Sequence, residues 1–438
     1  MFETLKQAFK VKEIRVKIWI TLALLLAYRL GCYIPVPGLG SGLIAEGMQG
    51  LSYLNIMNMM TGGSLQSGTL FAMGIGPYIN ASIIIQLLAV AIPSLERLSK
   101  QGEEGRKKIS QYTRYLTIVL AIIQAVGILL TYRIDLLASD NSTPLSNMLF
   151  GQTWLAYVVV IIFFTAGTVT TMWIGERITD YGISNGISLL IFAGILSSAG
   201  QALIPMVTNI WGTEQNASLQ NFWRLIAMLV AILVVFTCIV TVELAERKIP
   251  VQYAKQVRGQ KMYGGQSTVI PIKVNSNGVL PLIFAFSILS FPELIMTLFG
   301  WENGLVWWQQ YIGTQSWVYM ILLCLLIVFF AYFYTSIQFN PDEIAKSIQQ
   351  NGGFVMGIRP GKPTAEYLKK ISNRITLFGA IFLALLALIP SIVFQAINPS
   401  VSGAFTATGL LIAVSVATEF NTALESQIMM KNYKGFLK

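Results

Sequence analysis

Apolar residues in this chain gather into long runs separated by shorter polar segments. Ten runs stand out, at roughly 18–36, 70–92, 115–137, 154–174, 185–206, 222–242, 278–299, 316–337, 375–396 and 403–420. About 20 mostly apolar residues, at a rise of about 1.5 Å each, carry one helix across the hydrocarbon core of a bilayer. The pattern therefore predicts an all-α polytopic membrane protein with ten transmembrane helices. Ten spans divide into five and five, at 1–210 and 211–438. Because an odd number of spans reverses orientation, the second five would run inverted to the first, and such halves place a pathway at their interface. The halves show no evident sequence identity, so the division rests on geometry.

Two stretches need separate treatment. The first run has a basic start (Lys10, Lys12, Arg15, Lys17) and an apolar core, the pattern of a secretory signal peptide. Arg29 interrupts it and nine more runs follow, so it reads as a retained first helix, with Arg29 near the outer end and able to snorkel to the interface. Residues 50–69 are rich in Met, Gly, Ser and Asn. They suit either an external loop or a short helix folded back into the protein, where irregular backbone survives only beside protein or a watery cavity. Composition alone favours the loop.

Composition agrees with the membrane reading: 54% of the 438 residues are hydrophobic and 11% charged, against about 25% charged in soluble domains. The net charge of +10 would suggest nucleic acid for a soluble protein; for a membrane protein the question is where the positive charge sits. If the ten spans alternate, 27 of the 30 Lys and Arg fall on one side, and only Arg29, Arg133 and Arg224 on the other. Cytoplasmic loops carry this excess, so both termini are expected in the cytoplasm. Miscounting one span would scramble the sorting.

Candidate chemistry is sparse. The chain has no His, which removes the commonest metal ligand and general base. Cys32, Cys238 and Cys324 are far apart in apolar stretches and read as buried hydrophobes, with no metal site or cofactor implied. Gly182-Ile-Ser184-Asn-Gly186 fits the G-x-S-x-G pattern, but it opens an apolar helix and lacks a His partner. Its glycines read better as turn and close-packing positions. No H-E-x-x-H, phosphate loop or paired carboxylates are present, so the chain reads as no enzyme. Ion-coupled carriers usually hold charges inside the membrane, whereas the cores of spans two to ten carry mostly neutral Asn80, Gln86, Gln124 and Asn185. A carrier for a neutral solute stays open beside a passage without a coupling ion.

Two basic loops, 244–277 and 338–374, are long for connections. They are either solvated positive-inside loops or a docking platform for a large, negatively charged partner.

The ordered motifs carry a family resemblance. Arg29-Leu-Gly, Ile34-Pro-Val-Pro-Gly38, Asn58-Met-Met-Thr-Gly-Gly63 and Phe71-Ala-Met-Gly-Ile-Gly-Pro-Tyr-Ile-Asn-Ala-Ser-Ile-Ile-Ile-Gln-Leu-Leu88 come first. Gly102 to Arg114, Ile183 to Gly194, Tyr253-Ala-Lys255, Gln266-Ser-Thr268, Lys273-Val-Asn275 and Gly357-Ile-Arg-Pro-Gly361 follow. From end to end the chain resembles the SecY family of protein translocation channels, of the bacterial kind.

The resemblance implies two inverted five-helix halves around a central pore, through which unfolded secretory polypeptides cross. The pore ring falls on Ile75, Ile79, Ile191, Ile283 and Ile412. Residues 55–69 resemble the family's plug, with Asn58, Gly62 and Gly63 matching its pattern, and this reverses the preference for a loop. A lateral gate between spans two and three and spans seven and eight would release membrane-protein helices into the bilayer, with Gln86 and Asn185 as its polar candidates. Lys255, Arg258, Lys261 and Arg359 match docking positions for the SecA motor and the ribosome, although Gln260-Lys261 departs from the two adjacent basic residues of many relatives. Further implied partners are SecE, SecG, signal sequences and nascent polypeptides, and the implied location is the bacterial inner membrane.

Overall fold

The computed structural model describes residues 2–37, 52–99, 101–138, 153–211, 215–253, 256–258, 261–263, 267–275, 278–313, 316–397 and 407–435. The first half holds α1 (Phe2–Lys10), α2 (Lys12–Gly31), α3 (Ser52–Thr61), α4 (Gly76–Ala91), α5 (Pro93–Ser99), α6 (Glu103–Ala138), α7 (Thr153–Tyr181) and α8 (Gly186–Trp211). The second begins with α9 (Gln215–Glu243) and four strands, β1 (Glu246–Tyr253), β2 (Gln256–Arg258), β3 (Lys261–Tyr263) and β4 (Ser267–Lys273). It continues with α10 (Leu280–Leu298), α11 (Glu302–Ile312), α12 (Trp317–Gln338), α13 (Pro341–Gln350), β5 (Gly353–Val355), α14 (Lys362–Ile397) and α15 (Ala407–Gly435).

Each of the ten apolar runs overlaps one of these helices. Among the described residues five helices are long and apolar enough to cross a membrane, and the bent pair α4–α5 makes a sixth. Helices α2, α8, α10 and α15 fall on the remaining four runs. Side chains such as Leu229, Val230, Leu233 and Val234 of α9 stay exposed on the protein surface, as lipid-facing positions would.

Several helices run past their apolar stretch into polar residues, while two fall well short of theirs, one ending at Gly31 and one starting at Gly76, and prolines account for both of these. The first helix ends at Gly31 because Ile34-Pro35-Val36-Pro37 follows, and a residue before proline is driven to extended backbone. That extended segment pairs instead with residues 68–70. Val36 N–H donates to the Gly68 carbonyl (3.0 Å) and Leu70 N–H to the Ile34 carbonyl (2.9 Å). The second helix starts only at Gly76, with Pro77 in its first turn, where a missing N–H costs nothing. Pro93 then opens α5 at a bend of 107°.

Helices α2, α4, α6, α7 and α8 pack among themselves, as do α9, α10, α12, α14 and α15. The two sets meet where α6 lies on α10 and where α8 lies on α9 and α15. The G-x-S-x-G segment is one device of this packing. A side chain on Gly186 would collide with the Gly175 carbonyl of α7.

The long basic loops are not independent. β1 pairs antiparallel with β4 along Glu246↔Lys273 to Gln252↔Ser267. On its other edge β1 takes up β5, from the second loop, at Val251↔Val355. Ile249, Val251, Ile272, Ile348, Val355 and Leu368 form a small core beneath the sheet.

Candidate functional site: the seam between the halves

Ile75 caps α4 and Ile79 lies one turn further on, while Ile191, Ile283 and Ile412 come from α8, α10 and α15. The fold brings all five into one apolar cluster, with Ile75, Ile191 and Ile412 each 5% exposed. Ile79, Ile283 and Ile412 also line a cavity of about 70 Å³. Met57, Met59 and Met60 of α3 line the same cavity. Among the described residues Asn80, Ser287 and Ser290 are its side-chain polar groups, so water inside finds few partners. Packed branched side chains of this kind resist wetting.

Within the described residues 52–69 the structure sides against a plain loop: Ser52–Thr61 is a helix, with Leu54, Met57 and Met59 buried. Asn58, Gly62 and Gly63 stop it as one unit. Gly62 and Gly63 take φ of +73° and +87°, backbone that only glycine adopts freely. Gly63 N–H donates to the Asn58 carbonyl (2.9 Å) and Gly62 N–H to the Met59 carbonyl (3.3 Å), the two bonds of a left-handed helix stop. The Asn58 side-chain oxygen accepts Gln66 N–H (3.0 Å), tying the turn that follows.

At the seam between α4–α6 and α10–α12, Gln86 reaches across. Its Nε2 donates to Ser82 Oγ (3.1 Å), and its Oε1 accepts the hydroxyl of Tyr334 on α12. Tyr334 packs on Phe284 of α10 at 4.9 Å between ring centroids. The sequence reading missed Tyr334. The available signal was a polar tip in the aromatic run 329–334, since a tyrosine hydroxyl in an apolar setting needs a partner. Asn185 lies elsewhere, exposed at the start of α8, where its Oδ1 accepts Ile187 N–H (3.0 Å). It caps its own helix.

Arg29 also departs from its expected place. Rather than snorkelling outward, its guanidinium turns inward and donates to the Ala193 carbonyl of α8. Of the four docking candidates, Arg359 is exposed in the turn after β5, its carbonyl accepting the Thr364 hydroxyl (2.8 Å). Arg258 and Lys261 are backbone partners in the register of the β2–β3 pair. Lys255 lies outside the described residues. Cys32, Cys238 and Cys324 are free thiols, and no group of three or more Cys, Asp or Glu is placed to hold a metal among the described residues.

Comparison with known proteins agrees with this geometry. The SecY family model matches residues 69–421. The protein translocase subunit SecY of Streptomyces coelicolor is 42% identical over 447 residues, covering 100% of both chains. That of Corynebacterium glutamicum is 40% identical, covering 99% of both. Among solved structures, one described as a protein conducting channel aligns with a TM-score of 0.65 at 21% identity, over 93% of this chain and 91% of the other. Sec61 in the canine ribosome–channel complex aligns with a TM-score of 0.61 at 20% identity, over the same shares. The ten apolar helices, the seam of isoleucines and these matches have one reading: the chain belongs to the SecY family, as a polytopic membrane protein with the protein-conducting channel fold.

Proposed function

We propose that this chain is the pore subunit of a bacterial protein translocase, passing unfolded polypeptides across the membrane and releasing apolar helices sideways into lipid. It performs no reaction on its cargo. The observation that carries the reading is the cavity shared by Met57, Met59 and Met60 with Ile79, Ile283 and Ile412. A ring of branched side chains closed by a short helix blocks ions at rest and can yield around a chain of any sequence. In this reading α3 is the plug and the halves divide near residue 210. The Gln86–Tyr334 hydrogen bond spans the lateral gate and biases it toward closure.

The joined sheet and its exposed Arg359 support a docking face for the SecA motor and the ribosome, whose RNA and acidic surfaces suit its charge. SecE and SecG are the proposed membrane partners. The sorting of 27 of 30 Lys and Arg to one side supports cytoplasmic termini in the bacterial inner membrane.

The test is crosslinking of a stalled secretory precursor to single cysteines at Ile79, Ile191 or Ile412, in a chain whose Cys32, Cys238 and Cys324 have been replaced. Crosslinks at all three, lost when the signal sequence is removed, are expected. An engaged precursor that reaches none of them would return the ring to ordinary core and reopen the carrier reading.

A further inference from the structure

Between α10 and α12 the chain inserts α11, a helix of 11 residues. At about 1.5 Å per residue it is too short to cross a hydrocarbon core of about 30 Å. Its surroundings are rich in aromatic rings and poor in charge. Four of the nine tryptophans fall within 299–317, and the one charged residue of that segment is Glu302. The helix has two faces. On one, Leu305 packs against the cluster that Ala121, Ile128, Val160 and Phe164 form in the first half, and Ile312 packs against the cluster at the seam. The other carries Asn303, Val306, Trp307, Gln310 and Tyr311, all exposed and spaced at i, i+3, i+4, i+7 and i+8. Trp307 is 55% and Tyr311 52% exposed, with their rings 5.4 Å apart. The segment is nevertheless well fixed. The ring of Trp301 lies against Gly304, where a β-carbon would come within 2.8 Å of it. The Ser316 hydroxyl donates to the Tyr311 carbonyl (2.7 Å) and accepts Val318 N–H (3.2 Å), joining the end of α11 to the start of α12. An ordered helix that presents a valine and two large rings outward leaves apolar area in want of a partner.

We propose that the Val306–Trp307–Tyr311 face of α11 is a lipid-binding surface, lying in the membrane–water interface with its rings at the level of the phospholipid headgroups. The surface continues one that already suits lipid: just past the Ser316 turn, α12 exposes Val318, Ile321, Leu325 and Phe329 along a single side. Trp and Tyr concentrate at such interfaces, because each has an apolar body and one polar tip that stays wet. Many interfacial helices are drawn down by Lys and Arg on their polar face. With neither between 299 and 317, α11 holds by ring burial and has no need of anionic lipid. The contact with lipid does not depend on the translocation reading; only the leaflet does, and the proposed topology makes it the outer one. Because Leu305 reaches the first half, the anchored helix fixes the depth of α10 and α12 beside the seam.

The test is a depth measurement on the full chain in phosphatidylcholine vesicles, with the three native cysteines replaced and a nitroxide attached through Gln310→Cys, which shares the exposed face and spares both rings. Collision with oxygen, which favours lipid, is compared with collision with a water-soluble nickel chelate. Leu325→Cys on α12 serves as the reference in lipid and Lys346→Cys as the reference in water. The label at 310 is expected between the two references, at the same depth when phosphatidylglycerol is added and when salt is raised from 0.1 to 1 M. Trp307→Ala with Tyr311→Ala should shift it to the value in water, while the label at 325 keeps its depth in the same variant and so shows that the span is in place. A label at 310 that meets the chelate as freely as the one at 346 would put α11 in water and overturn the proposal. So would a label shielded from both reagents, which would mean that protein covers the face. A depth that appears only with phosphatidylglycerol, or that survives loss of both rings, would overturn the anchoring role of Trp307 and Tyr311.

Discussion

Tyr334 carries a hydroxyl into an aromatic run, and Gln86 on a helix of the other half receives it. An interhelical hydrogen bond in a membrane contributes about 1 kcal/mol, often less, so at the proposed gate this one would bias the closed state without locking it. Tyr334→Phe keeps the ring against Phe284 and removes only the hydroxyl. Marginally apolar helices should then enter lipid more readily, by roughly three- to fivefold at the midpoint. A glycosylation-mapped insertion assay on a graded set of helices reads this, and an unchanged midpoint would remove Gln86–Tyr334 from the gate. At the end of α3, Gly62→Ala forces a β-carbon into left-handed backbone, costing roughly 1–2 kcal/mol, and against the Arg29 guanidinium as well. It should lower the midpoint of thermal unfolding in detergent, whereas Gly102→Ala, with φ of +74° but open space around it, should carry the backbone cost alone. Equal shifts for the two would show that Arg29 does not press on Gly62.

Among the elements, the small sheet is the clearest case of structure joining what sequence separates. Val251 is fully buried between β4 and β5, and its neighbours are Ile249, Ile272 and Val355. Val251→Asp would put a carboxylate into that core without a partner, a loss of several kcal/mol. Both loops should become open to protease together while the spans remain protected, as read by limited proteolysis in vesicles. Cleavage confined to one loop would mean that β5 does not depend on β1. The helix boundaries teach a related lesson. Hydropathy alone extends the first span past Gly31 and starts the second before Gly76, because apolar residues continue through both places. Proline placement shows where each helix must stop, and the extended pairing of residues 34–36 with 68–70 gives the freed backbone its partners.

At the scale of the molecule, two halves meet along an apolar seam, and in the proposed topology one side carries most of the charge. A docking face built on exposed cations depends on ionic strength, since the Debye length falls from about 10 Å at 0.1 M to about 3 Å at 1 M. If the proposed docking face receives a motor, motor-driven transport should decline as salt rises. Arg359→Glu should impair it at low salt while leaving membrane insertion of the chain itself intact. Transport rates in reconstituted vesicles decide this, and unchanged rates would refute the role of Arg359.

What was legible in the amino-acid order was whatever the bilayer demands of each segment by itself. A run long and apolar enough to cross is a local property, and so is the sorting of Lys and Arg between loops. That the five isoleucines share one cluster, and that Asn58, Gly62 and Gly63 act together at one helix end, was legible only through family motifs, because an isoleucine in an apolar helix carries no mark of the neighbours it will meet. Arg29 with Ala193, 164 positions apart, and Gln86 with Tyr334, 248 apart, were not legible at all. Which donor meets which carbonyl depends on the rotation and depth at which two helices pack. Those are set by close-packed contacts along their whole length, and only the folded chain settles them.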